Sequence, residues 1–247
     1  MSTTRSGFFG RLRAEMARAR PLFVAAPVDR PAEPRALADA IRREVAGRWS
    51  GALERFRREF ERVGGVFHSV AALDQAPALI AALAAERGAH RLVTWHPAAL
   101  GADLAPALRR HGLDPLVMPP GAVDDAEERA RLRAAIAAAQ IGVTGVDLAI
   151  AETGSLVLRS GGGRPRSTSL LPPYHVAVLD RTSLIESLAQ FGVFLEAWQS
   201  TASPNDGAAV QVITGPSRTA DIELTLTRGV HGPREVHAVF VDAPFRE

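Results

Sequence analysis

The chain has 247 residues, a formal net charge of +2 and no cysteine, and all 29 of its Lys+Arg positions are arginine. Disulfides, thiol nucleophiles, zinc–thiolate sites and cysteine-ligated iron–sulfur clusters are therefore excluded within this chain, as are a Schiff-base lysine and the lysine of a phosphate-cradling P-loop. The isoelectric point near 10.2 is no mark of a nucleic-acid binder: without lysine little titrates between histidine and arginine. Moreover, Arg42-Arg43, Arg57-Arg58 and Arg109-Arg110 are interleaved with acids or apolar residues on helical patterns.

At the N-terminus Phe8, Phe9, Leu12 and Met16 recur at helical spacing, which predicts a short amphipathic helix that docks on the body or on a partner. Four prolines in residues 21–35 mark a linker, so residues 1–35 read as an N-terminal helix and linker ahead of a single α/β domain over 36–247. No run approaches the roughly 18 consecutive apolar residues of a membrane span. The N-terminus also lacks the apolar stretch and cleavage site of a secretory signal, and cytoplasmic residence is the expectation.

From residue 36, Leu37, Ile41, Val45, Trp49, Leu53, Phe56, Phe60 and Val63 step by threes and fours along one helical face, with Gly47 and Gly51 as break points. Gly64-Gly65 closes that stretch and residues 66–70 read as a strand. Helix and strand then alternate: 77–87 helical, 92–95 strand, 103–111 helical, 116–118 strand. Residues 124–140 are helical, with acids in the first turn where the macrodipole favours them. Such alternation predicts a mainly parallel sheet with helices on both faces, and no G-x-G-x-x-G fingerprint is present.

Beyond residue 141 the texture changes. A strand at 148–151 meets the turn Glu152-Thr153-Gly154 and a second apolar run at 156–158, the pattern of a tight hairpin with glycine in the left-handed position. A Gly- and Arg-rich loop follows at 160–168, then a strand at 175–179, a helix over 181–197 and a strand at 209–213. Ser217 and Thr219, with acids just behind them, predict a helix N-terminus, and 235–242 alternates as the last strand.

Several groups carry ligand chemistry. Thr144, Gly145 and Asp147 enter the hairpin strand, and the glycine lets backbone amides approach an anion; a structural turn is the competing reading. Ser217-Arg218-Thr219 at a helix start would combine hydroxyls, a guanidinium and backbone donors around a carboxylate or phosphate, or else simply cap the helix. Gly161-Gly162-Gly163-Arg164-Pro165-Arg166 is a flexible cationic loop, either closing on an anion or merely exposed. Of the seven histidines, His175 and His231 stand near loops, but no H-E-x-x-H or similar spacing occurs, so no metal site and no cofactor is expected in this chain.

Three blocks, GVTGVDLAIAETGSLVL at 142–158, SLLPPYHVAVL at 169–179 and GPSRTADIELTLTRGVHGPREVHAVFVD at 215–242, together resemble the lactate utilization protein C family, built on the LUD domain. The resemblance implies an α/β fold of the sugar-phosphate-isomerase and CoA-transferase type, a Rossmann-like sheet without the dinucleotide fingerprint. It also implies a non-redox part in oxidising L-lactate to pyruvate, beside partner proteins that carry iron–sulfur clusters. Glu152 looks like the nucleophilic glutamate of CoA-transferases of that fold, a strand-end carboxylate that would attack a thioester. Lining a ligand, or bonding the backbone of its own turn, are the other readings of it. Thr144, Gly145, Asp147, Thr153, Gly154, Arg166, Ser169, Ser217, Arg218 and Thr219 make up the expected ligand-binding set. Two alternatives stand beside the lactate system: a small-molecule enzyme of CoA-transferase or sugar-phosphate type using Glu152, and a non-catalytic organic-acid-binding protein.

Overall fold

A computed structural model of the protein describes residues 4–19, 31–200, 206–220 and 226–245. Two units are distinguished, residues 1–32 and 33–247. The first contributes α1 (Arg5–Ala19). Its Phe8, Phe9, Leu12 and Met16 are exposed, and most of the proline-rich stretch behind it lies outside the described residues.

In the second unit the long apolar face folds as two helices, α2 (Pro34–Ala46) and α3 (Trp49–Arg62), parted at Gly47 as the sequence predicts, while Gly51 is absorbed into α3. Ile41, Val45, Phe56 and Phe60 are buried, which gives the spacing its physical meaning. The chain continues through β1 (Val66–Val70), α4 (Ala76–Glu86), β2 (Arg91–Thr94), α5 (Pro97–Leu100), α6 (Ala105–Arg110) and β3 (Asp114–Val117). Next come α7 (Ala126–Ala138), β4 (Ile141–Gly145), β5 (Leu148–Ile150), β6 (Ser155–Gly161), α8 (Ser167–Leu170) and β7 (Tyr174–Asp180). It ends with β8 (Leu184–Ile185), α9 (Leu188–Gln199), β9 (Asp206–Ile213), β10 (Arg218–Ala220), β11 (Leu226–Arg228) and β12 (Glu235–Val241).

Six strands form the central sheet in the order β1-β12-β7-β4-β2-β3, and every pairing in it is parallel. Neighbouring residues of β2 show that both faces are covered: Leu92 joins the main core, whereas Val93 packs on the other side with Met118, Ile136 and Ala139. A second sheet, β8-β5-β6-β9, is mostly antiparallel and grows out of the end of β4. After β2 the chain steps outward to β3 and then returns to lay β4 on the opposite side of β2. The winding thus reverses between β2 and β4, and the carboxyl ends of these strands open the crevice where α/β sheets take ligands.

Two expected elements are corrected. Residues 181–197 are not one helix: a 3-10 turn at Arg181–Ser183 leads into β8, and α9 starts only at Leu188. Asp180 holds the turn by accepting from the backbone N–H of Thr182, and Ser187 caps α9 by accepting from the N–H of Gln190. Between them the β-branched Ile185 is drawn into pairing with β5. At residues 217–219 no helix starts: β10 pairs antiparallel with β11, Arg218 opposite Arg228. The period-two pattern of Ala220, Ile222, Leu224 and Leu226 in the sequence outweighs the capping signal.

Candidate anion-binding site

At the switch point the glycine-rich loop lies directly on the strand ends. The backbone N–H of His96, just past β2, donates to the carbonyl of Gly163 at 2.8 Å. Gly163 has φ +73, and a Cβ there would stand 2.8 Å from the Cβ of His96. Only glycine permits that approach together with that backbone. One layer below, a Cβ on Gly142 of β4 would run into the carbonyl oxygen of Thr168, so this glycine is what admits the backbone of α8 against the sheet.

Between the loop and α7 opens a cleft of about 460 Å³. One wall is the stripe Arg129, Leu132, Arg133 and Ile136 of α7, spaced i, i+3, i+4, i+7 so that all four share a face. The facing wall carries Gly161, Gly163, Pro165, Arg166, Ser167 and Leu170, and Met118 and Pro119 border both. No acidic residue lines the cleft, and Arg129, Arg133 and Arg166 have no carboxylate partner among the described residues. Arg131, on another face of α7, is neutralised by Glu128 at 2.9 Å. Three guanidinium groups without a carboxylate partner thus border one partly apolar hollow, a setting whose charge suits an anion.

Of the residues singled out from the sequence, Arg166 lines this cleft, and Ser169 is buried behind it, its Oγ donating to the Arg166 carbonyl at 3.1 Å. Asp147 borders a second cleft of about 490 Å³ with Arg42, Arg43 and Arg181. Its carboxylate already accepts from the backbone N–H and Nε of Arg159, at 2.7 and 2.9 Å, and from Arg164 at 3.4 Å. Thr144 is buried and bonds Nε2 of His175 at 2.9 Å, and Gly145 ends β4 in the core. The Glu152 turn lies elsewhere: one carboxylate oxygen accepts from the N–H of Leu188, the first residue of α9, at 2.8 Å. Thr153 bonds Ser155, and Gly154, at φ +62, packs against the backbone of Phe60. Ser217 stands away from both clefts, its Oγ accepting from the N–H of His231 at 3.2 Å, while Arg218 and Thr219 open β10. Arg129 and Arg133 were not anticipated from the sequence; the signal they offered is two arginines one turn apart beside Leu132 and Ile136.

The LUD domain model matches residues 53–241, which takes in the whole central sheet and α7. The chain belongs to the LUD domain family. A protein of Halalkalibacterium halodurans named lactate utilization protein C is 35% identical over 151 residues, 60% of this chain and 61% of that one. A protein of the same name from Shouchella clausii is 36% identical over 104 residues, 42% of this chain and 44% of the relative. These matches span less than two thirds of either relative's length. The crystal structure of a DUF162 family protein from Deinococcus radiodurans shares the fold, with a TM-score of 0.53 and 20% identity over 78% of this chain and 98% of that one.

Near the amino ends of its strands this LUD domain carries a partly buried polar chain. His68 Nε2 lies 3.1 Å from His237 Nδ1, and His237 Nε2 lies 3.0 Å from Glu235, which accepts from Arg87 at 2.6 Å. With Nε2 of His237 donating to the carboxylate, its Nδ1 accepts from His68, a tautomer assigned from the network. Burial pushes the imidazole of His237 down to about 4 against the opposing bond to Glu235, and it pushes His175 down to about 3, with His237 adding to the shift. His68 is lowered by burial and then by Arg87. Burial thus favours the neutral form of all three imidazoles. No group of three His, Cys, Asp or Glu side chains placed to hold a metal occurs among the described residues, and no helix among them is long and apolar enough to cross a membrane.

Proposed function

We propose that this chain is a non-redox component of an L-lactate utilization system, working in the cytoplasm beside iron–sulfur partner proteins, and that the arginine cleft is where it binds an organic anion. The observation that carries the binding role is the set of three guanidinium groups left without carboxylates at the topological switch point. The pathway rests on family membership and on the names of the relatives in Halalkalibacterium halodurans and Shouchella clausii. The absence of cysteine from this sequence, which leaves it no ligands for a cysteine-held cluster, supports the assignment of the redox centre to a partner. Binding is favoured over acyl transfer because the Glu152 carboxylate is engaged with the start of α9 and lines neither cleft.

Deleting the gene is expected to impair growth on L-lactate while growth on pyruvate is retained, and the tagged chain should bring down a brown iron–sulfur protein from lactate-grown cells. Equal growth of mutant and parent on L-lactate, in a strain with no other lactate oxidase, refutes the pathway.

A further inference from the structure

We propose that the ligand of the arginine cleft is not lactate but an organic anion carrying at least two negative charges on an apolar body, of the alkyl- or aryl-phosphate class. The inference rests on the reading above that this cleft is the ligand site. Charge is the first argument. Arg129, Arg133 and Arg166 face the cleft without any acid in its lining. A single carboxylate on a three-carbon chain would pair with one of them and leave two guanidinium groups at the cleft without an anionic partner. A phosphoryl group offers more oxygens than one fork can use, and guanidinium forks bind such oxygens two at a time.

Placement adds to this. Arg129 and Arg133 are one turn apart on α7, their Cβ atoms roughly 5–6 Å from each other, so both forks reach one tetrahedral anion, while Arg166 approaches from the loop across the cleft. Size is the third argument. A hollow of about 460 Å³ falls in the range that encloses drug-sized ligands and is far larger than lactate requires. Its remaining lining is apolar: Met118, Leu132, Ile136 and Leu170, with the exposed Leu171 beside them. Apolar surface flanking a cationic end selects a molecule with the same two halves. Ser167 supplies the only side-chain hydroxyl of the lining, so the site holds its ligand through the arginines.

The test is titration calorimetry of the full chain with phenyl phosphate, inorganic phosphate and L-lactate at one fixed ionic strength. Phenyl phosphate is expected to bind at least about tenfold more tightly than the other two. Arg133→Ala and Arg129→Ala should each weaken it by about tenfold, the change that one charge-assisted bond commands. Arg131→Ala, which removes the partner of Glu128, should leave it unchanged. Leu171→Asn should erode the preference for phenyl phosphate over inorganic phosphate without altering phosphate binding itself. All these positions are exposed, and thermal melts check that each variant folds. Lactate binding as tightly as phenyl phosphate, no saturable binding of phenyl phosphate, or equal damage from Arg131→Ala and Arg133→Ala overturns the proposal. The two readings fail separately. Arginine-dependent phenyl phosphate binding in a chain whose deletion spares growth on lactate removes the pathway and keeps the ligand class. Tight lactate binding with impaired growth does the reverse.

Discussion

Acid should destabilise this domain well before its carboxylates protonate, and His175 and His237 set the size of the effect. Both are buried, the first bonded only through Nε2 to Thr144, the second already accepting at Nδ1 from His68. Burial holds them at about 3 and about 4 in the folded chain, against 6.5 for an ordinary histidine. Between these limits the unfolded chain binds protons that the folded chain refuses, so stability rises with pH there. The stability is fully present above pH 6.5, is lost progressively as the pH falls towards the folded values, and levels off below them. At about pH 5 each histidine has passed roughly 1.5 units of this window, which at 1.36 kcal/mol per unit is about 2 kcal/mol each and about 4 together. That is a large share of the roughly 5–15 kcal/mol that holds a typical domain, and His68, lowered in the same sense, adds to it. Urea unfolding at intervals between pH 7.5 and 5 measures the slope, and the same series on His237→Gln, which keeps a polar side chain but cannot titrate, should show roughly half of it. A stability flat across that range, or an unchanged slope in the variant, refutes the argument that these imidazoles are held neutral by burial.

Gly142→Ala should cost about 3 kcal/mol, because the new methyl meets the Thr168 carbonyl and α8 must lift from the sheet; a melting curve that matches the parent would contradict the close approach. Glu152→Gln should lower stability by only about 0.5–1 kcal/mol, the worth of a carboxylate at a helix N-terminus, and leave phenyl phosphate binding untouched. The parent chain should form no covalent adduct with an acyl-CoA, and a mass shift on the peptide that contains Glu152 would show that this carboxylate is a nucleophile after all.

The central sheet was legible because its signals are local. Helices with an apolar face and short apolar runs between glycines announce themselves over a dozen residues, and the break at Gly47 is visible for the same reason. What escaped is held by distant partners. β8 is two residues long and exists because it pairs with β5, more than thirty positions earlier; its own sequence runs smoothly into the helix that follows. In its own window Ser217 reads as a cap, but its Oγ serves His231, fourteen residues further on. At the site the Gly161–Gly163 turn and Arg166 could be flagged from composition. Arg129 and Arg133 could not, because a helix whose charges surround it does not reveal which side another element will face. Thr144 reads in sequence as an approach to a ligand, and the structure bonds its hydroxyl to His175, thirty-one residues away.

Asp147 fixes the glycine-rich loop from behind. Arg164 and Arg166 sit on either side of Pro165, whose ring fixes the backbone between them. Arg164 turns back to the Asp147 carboxylate, which also takes Arg159, so the strand end, β6 and the loop are tied by one acid that is largely shielded from solvent. Arg166 is exposed at the cleft with no acid to claim it. One arginine of the pair anchors the loop and the other is left to the cleft. A carboxylate facing the cleft would have paired with Arg166 and cancelled the field there; set behind the loop, the same carboxylate fixes the cationic rim. Asp147, which in sequence reads as a ligand-binding group, borders the second cleft and ties the loop from behind.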